Sequence, residues 1–198
     1  MTETRQRRLT KEARRQAVLD TACRVFSELS YRGATTAEIA RAAGISEPIL
    51  YRHFGSKRDL YLACLDEAWR SFREGAERAI ADDPLRCLGA IADAYMSQDK
   101  RIRVVDLWIQ ALTVAPEDKL IAAALREQVR EVHAFFADVI RDGQERGVIV
   151  PERDAVAEAW IFVAGGLLVT MDNRLGGVLG DDLQRVRSAR RGFMLLAE

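Results

Sequence analysis

Imidazoles, thiols and carboxylates are where reaction chemistry is usually found, and this 198-residue chain arranges few of them for it. His53 and His133 are its two histidines, and neither sits in a cluster with metal-ligand spacing. No phosphate-cradling loop, no dinucleotide fingerprint after a strand and no nucleophile elbow occurs. The expectation is a protein that is not an enzyme and that uses no cofactor and no metal. The polar side chains that stand out are gathered in one stretch, Thr35 to Leu60, which reads TTAEIARAAGISEPILYRHFGSKRDL. Its pattern is that of two short helices meeting at a tight turn, followed by the start of a third.

The elements that must hold those side chains can be read from their caps. Thr35 with Glu38 fits a capping box, in which the hydroxyl and the carboxylate each satisfy a free backbone N–H. Ile39, Ala40 and Ala43 give the first helix one apolar side. Gly44 suits the left-handed conformation at a helix end, and Ile45 is expected to be buried in the turn. Ser46 is placed to cap the second helix, with Pro48 tolerated in its first turn. Leu50 and Phe54 point to the core, which leaves Glu47, Ile49, Tyr51, Arg52 and His53 for other faces. Small residues at Ala40 and Gly44 let the helices cross closely. This is helix-turn-helix geometry, whose second helix is free to lie in a DNA major groove about 12 Å wide.

The order Thr35-Thr36, Ile39-Ala40, Ala43-Gly44-Ile45-Ser46, Leu50-Tyr51, His53-Phe54, Ser56-Lys57, Leu60 closely resembles the TetR family of bacterial transcriptional regulators. The resemblance covers about residues 10 to 65; beyond that it rests on architecture. It implies that Thr36, Tyr51, His53 and Lys57 hold the DNA backbone, and that Ser46, Glu47, Pro48, Ile49 and Arg52 face the groove. Arg52 would suit guanine, Glu47 would accept from cytosine and Ile49 would touch a thymine methyl. Bland readings stand beside these. Glu47 equally complements the helix dipole, Tyr51 can belong partly to the core, and an isolated histidine is usually structural. With Glu47 and Pro48 this helix is less basic than many readers, so affinity should come from phosphates and fall steeply with salt.

Net charge is zero, but residues 1–60 hold 12 Lys and Arg against 7 Asp and Glu, and the remainder 18 against 23. A basic first third beside an acidic remainder suits a chain that meets a polyanion at one end. Arg5, Arg7 and Arg8 form a basic arm that reads either as a solvated tail or as a reach toward phosphates or a minor groove. Cys23, Cys64 and Cys87 are odd in number and widely spaced, which suits free thiols in a reducing cytosol. No signal peptide is evident, and the apolar run Ala159 to Met171 is shorter than the roughly 20 residues of a membrane span. It is expected to be a buried helix. The location expected is cytoplasmic, at the nucleoid.

The whole chain reads as all-α with about nine helices and no strand. Residues 1–55 are expected to form the helix-turn-helix DNA-binding domain, and residues 56–198 a larger ligand-binding and dimerisation domain, with helix 56–81 as the connection. Later helices are expected at about 85–97, 99–114, 116–146, 152–175 and 181–197, with Pro116 starting the third of these. Tyr95, Met96, Trp108 and Gln110, with His133, Phe136, Trp160 and Met171, are candidates to line a mostly apolar effector cavity. Gly165 and Gly166 interrupt the most apolar helix at about 1 kcal/mol each relative to Ala, so a close partner or a ligand should offset them. The resemblance favours a partner: the last two helices, carrying Gly165, Gly166, Val186 and Phe193, would form a four-helix bundle in a homodimer. Two reading helices would then address a palindromic operator at a spacing of about 34–36 Å. The function expected is a homodimeric repressor of double-stranded DNA, released by a small effector. An activator, an effector-independent regulator, or a helical interaction protein that no longer reads DNA are the alternatives.

Overall fold

The computed structural model describes residues 10–97 and 104–194; the arm with Arg5, Arg7 and Arg8 lies outside the described residues, as do the side chains of Met96 and Phe193. Among the described residues there are nine α-helices, one short 3-10 turn at Pro84–Arg86 and no strand. In chain order the helices are α1 (Lys11–Gly33), α2 (Thr36–Ala42), α3 (Glu47–His53), α4 (Lys57–Asp82), α5 (Cys87–Ser97), α6 (Val104–Val114), α7 (Lys119–Glu145), α8 (Ala155–Arg174) and α9 (Asp181–Met194).

Helix starts follow the expected chemistry with two exceptions. Thr10, Thr35, Ser56 and Asp154 each accept a hydrogen bond from a backbone N–H of the turn they precede. Ser46 occupies the cap position of α3, but its hydroxyl caps nothing. The reason is local. Pro48 removes one of the two N–H groups a cap can address, and the other, on Ile49, donates to the Ser46 carbonyl at 2.9 Å. The second exception is α7, which starts at Lys119 and not at Pro116. Asp118 caps it by accepting from Leu120 N (3.0 Å) and Ile121 N (3.2 Å), while residues 115–118 form the preceding turn.

One long helix ties the molecule together. The first half of α4 packs Leu60, Tyr61, Cys64 and Leu65 against the buried face of α1, which carries Val18, Leu19, Ala22, Cys23, Val25 and Phe26. Further along, Ala68, Trp69, Phe72 and Ala76 meet α5, α6 and α7. A run of ring contacts continues this core. Trp69 meets Phe135 edge-on at 5.6 Å, Phe72 meets Tyr95 at 6.1 Å, and Phe136 stacks on Phe162 at 5.7 Å. Central to the body is α6, which touches α1, α4, α7 and α8.

The apolar helix α8 departs from the expectation of burial. It packs along α7, with Ala155, Glu158, Ala159, Thr170 and Asp172 buried. Its opposite side leaves Val156, Trp160, Ile161, Leu167 and Met171 between 36% and 46% exposed and Leu175 at 64%. The helix proper runs 20 residues at a mean hydropathy of 1.5, longer than the run read from sequence and enough by length and composition to cross a bilayer. It is nonetheless fastened to its own chain at both ends: the Arg153 guanidinium lies 3.8 Å from buried Glu158, and Asp172 accepts from Leu179 N at 2.8 Å.

Candidate nucleic-acid interface

The α2–turn–α3 unit is built almost wholly from short-range bonds. Thr35 Oγ1 accepts from Glu38 N at 3.1 Å, and Glu38 Oε2 accepts from Thr35 N at 2.9 Å, which completes the capping box. The Thr35 backbone N–H, then its hydroxyl, hold the Glu38 carboxyl below the usual glutamate range. Gly44 at φ +66° turns the chain, and Ile45 N reaches back to Ala40 O at 3.0 Å. Ile45 is half-buried in that turn. Ile39, Ala40, Leu50 and Phe54 are buried, and the Arg15 guanidinium covers the Phe54 ring at 4.7 Å. With Leu50 and Phe54 committed inward, α3 has no freedom to roll about its axis.

What remains of α3 faces out. Ser46, Pro48, Tyr51 and Arg52 are exposed; Glu47, Ile49 and His53 are half-buried. Arg52 makes no ion pair among the described residues. Thr36, the first residue of α2, is half-buried and donates its hydroxyl hydrogen bond to the Glu47 carboxylate; its oxygen lies 3.1 Å from the Tyr51 hydroxyl. Glu47 is therefore bound across the two helices, an arrangement neither the cytosine nor the dipole reading anticipated. The Lys57 ammonium sits 4.9 Å above the Tyr31 ring. Partial burial lowers its pKa, against the opposing pull of Glu38. Lys57 thus stays at the rim of the unit with its amine held in place.

Two partners were not visible in the sequence. Arg58, next to Lys57, reads in sequence as a phosphate ligand at the start of α4. In the structure its guanidinium pairs with Asp118 at 3.3 Å, in the turn between α6 and α7. Beside it Arg32 pairs with Glu117 at 2.6 Å. The first ties the start of α4, and the second the end of α1, to the turn before α7.

Of the eight residues proposed to line a cavity, the side chain of Met96 lies outside the described residues, and the contacts of the other seven run in different directions. Trp108 Nε1 donates to Gln128, both buried. Tyr95 and Thr170 share a hydrogen bond of 2.8 Å, and Phe136 lies within the ring stack on Phe162. Gln110 turns the other way, its amide donating to Ser27 O of α1 at 3.4 Å. His133 and Trp160 stack at 4.2 Å, with Trp160 and Met171 on the exposed side of α8. An open, mostly apolar groove of about 430 Å³ runs between α6 and α7 past Leu112, Leu125, Val129 and Trp160.

The two glycines of α8 face different ways. A Cβ at Gly166 would lie 3.4 Å from Val105 Cγ2 of α6, about van der Waals contact, so this glycine faces its own chain. A Cβ at Gly165 would meet nothing within 4 Å. Val186 on α9 is 46% exposed.

Residues 18–64 match the family described as bacterial regulatory proteins, tetR family, and residues 84–165 match the BetI-type transcriptional repressor, C-terminal. The chain is 32% identical over 130 residues to the HTH-type transcriptional activator FasR of Mycolicibacterium smegmatis, an alignment covering 62% of this chain and 59% of FasR. It is 27% identical over 150 residues to the HTH-type transcriptional repressor KstR2 of Mycobacterium tuberculosis, covering 72% of each. In fold it is similar to the solved structure of a TetR transcriptional regulator from Chloroflexus aurantiacus, with a TM-score of 0.77 at 22% identity over 94% of this chain and 98% of that one.

Proposed function

The chain belongs to the TetR family of bacterial transcriptional regulators, and from that premise we propose that it is a homodimeric repressor of a palindromic operator, released by a small, mostly apolar effector. The observation that carries the DNA-reading part is α3. Its inner face is locked by Leu50 and Phe54, and its outer face offers Ser46, Pro48, Tyr51 and Arg52, which has no ion pair among the described residues. A helix held this way meets a major groove at one angle only, which a base-reading element requires. In this reading Thr36, Tyr51, His53 and Lys57 hold phosphates, while Ser46, Glu47, Pro48, Ile49 and Arg52 face base edges.

Dimerisation through α8 and α9 is supported by the exposed apolar stripe Val156, Trp160, Ile161, Leu167 and Met171, and by the open side of Gly165. A two-fold axis there would present two copies of α3 to successive turns of one duplex. Repression is favoured over activation because the match over residues 84–165 is to a repressor's C-terminal domain. FasR keeps the activator reading open as the second choice. The division of labour would place DNA reading in residues 1–55 and effector binding and dimerisation in residues 56–198, joined by α4, in a cytoplasmic protein acting at the nucleoid. An effector that favours one spacing of the two α3 helices would shift the population away from the operator-bound spacing.

The test is an electrophoretic mobility shift with the DNA upstream of the chain's own gene, at two salt concentrations. Binding to a palindrome that drops by about tenfold or more between 50 and 200 mM salt is expected for several phosphate contacts on each half-site. A chain that shifts no duplex at low salt would instead be a helical interaction protein.

A further inference from the structure

Thr36, Glu47 and Tyr51 form a hydrogen-bonded set across the two helices of the head, and its protons can be assigned. A carboxylate only accepts, so the Thr36 hydroxyl donates to Glu47. That leaves the Thr36 oxygen as acceptor for the Tyr51 hydroxyl, 3.1 Å away. Both hydroxyl protons are therefore committed inside the protein. They belong to the same two side chains that the DNA-reading proposal assigns to phosphates. Tyr51 is 46% exposed, so the set lies at the surface a duplex would approach.

We infer that Glu47 is a specificity-determining residue that withholds the Thr36 hydroxyl, and through it the Tyr51 hydroxyl, from DNA until a base edge replaces Thr36 as its donor. The inference rests on the proposed DNA-reading function. A phosphate drawn to the two hydroxyls competes with the carboxylate for the Thr36 proton and with the Thr36 oxygen for the Tyr51 proton, and is repelled by the carboxylate's charge. On a sequence that offers Glu47 no donor, releasing the hydroxyls strands a carboxylate beside the DNA backbone. On a sequence with a cytosine within reach, the exocyclic amine takes over as donor and the hydroxyls turn to the phosphates. Glu47 then acts mainly by weakening the wrong complexes. A residue that only stapled α2 to α3 would influence stability and leave base preference alone.

Glu47→Gln separates the two roles, because its amide oxygen can still accept from Thr36 while the charge is gone. Wild type and variant are compared on the operator selected from random duplexes, on a scrambled duplex of equal length, and in a repeat of the selection. The expected result is a gain of about tenfold on the scrambled duplex, the order of one charge-assisted hydrogen bond, so that the ratio of operator to scrambled affinity falls by about tenfold or more. A cytosine preference at one position in each half-site should disappear. Adding Tyr51→Phe should remove most of that gain, since the hydroxyl, held less strongly once the charge is gone, is what makes the new contact. Equal strengthening on both duplexes with base preference intact, no change on either, or a gain undiminished by Tyr51→Phe would each overturn the inference while leaving DNA reading in place. Failure of the wild-type chain to select any duplex would overturn both.

Discussion

Ser30 adopts φ +67° and ψ +168° near the end of α1, a backbone region that is almost the preserve of glycine. The bend it makes places Tyr31 between two rings, stacked on Phe26 at 6.1 Å and against Tyr61 at 4.8 Å between centroids. Lys57 then caps the far side of Tyr31. The Ser30 hydroxyl accepts from Gly33 N at 3.3 Å, which offsets part of the strain. Glycine and alanine at this position both lose that bond, so comparing them isolates the backbone. Ser30→Gly should be more stable than Ser30→Ala by about 1 kcal/mol, or roughly 2–4 °C in Tm by calorimetry. The opposite order, normal for a helix interior, would mean that α1 runs straight through residue 30.

Between elements, the joint that matters most lies where the turn before α7 meets the start of α4. Asp118 does two jobs there, capping α7 and pairing with Arg58. Partial burial pushes its carboxyl up, but the N–H groups of Ile121 and Leu120 and the Arg58 guanidinium outweigh that and hold it below the usual aspartate range. Arg58 makes the pair through Nη1, while its buried Nε has no hydrogen-bond partner among the described residues. The neighbouring pair, Arg32 with Glu117, is more than half exposed on both sides and should add little. Asp118→Ala is therefore expected to cost about 1–2 kcal/mol at pH 7, mainly through the lost cap. A carboxyl whose pKa is lowered by folding stabilises fully above its unfolded value, near 3.9, and that stabilisation fades as pH falls through the lower folded value. Urea midpoints should thus differ between wild type and variant at pH 7 and converge toward pH 2. A gap that stays constant with pH would mean the carboxylate's charge plays no part.

For the whole molecule, the decisive feature is a surface that one chain leaves unfinished. The exposed side of α8 is apolar over most of its length, from Val156 to Leu175. Gly165 on that helix has open space where a side chain would be. Gly165→Leu should consequently leave the single chain folded, with helical circular dichroism unchanged, because a Cβ there meets nothing within 4 Å among the described residues. If α8 is the dimer surface, the added side chain falls between the two copies. Sedimentation should then show monomer, and binding to a palindrome should be lost together with the dimer. A variant that remains dimeric would move the two-fold axis elsewhere.

Much of the fold was legible because it depends on neighbours in sequence. The Thr35–Glu38 capping box, the left-handed Gly44, the Ser56 cap and the inward pair Leu50 and Phe54 are all governed by residues within four positions of one another. A sequence lists such neighbours directly. The helix-turn-helix and the all-α architecture were therefore determined by the chain itself, along with the set of side chains left over for α3's outer face. Tertiary structure decided whatever depended on a distant partner. Thr36 took the carboxylate of Glu47 from the helix after the turn, and Arg58 found Asp118 sixty positions later. Gln110 turned to α1 and away from the other cavity candidates. Which side of α8 is buried also came from α7, since an all-round apolar helix carries no periodic signal to orient it. Local propensity chooses the elements, but hydrogen bonds and charges are satisfied by whatever the packing brings near, and packing is a property of the whole chain.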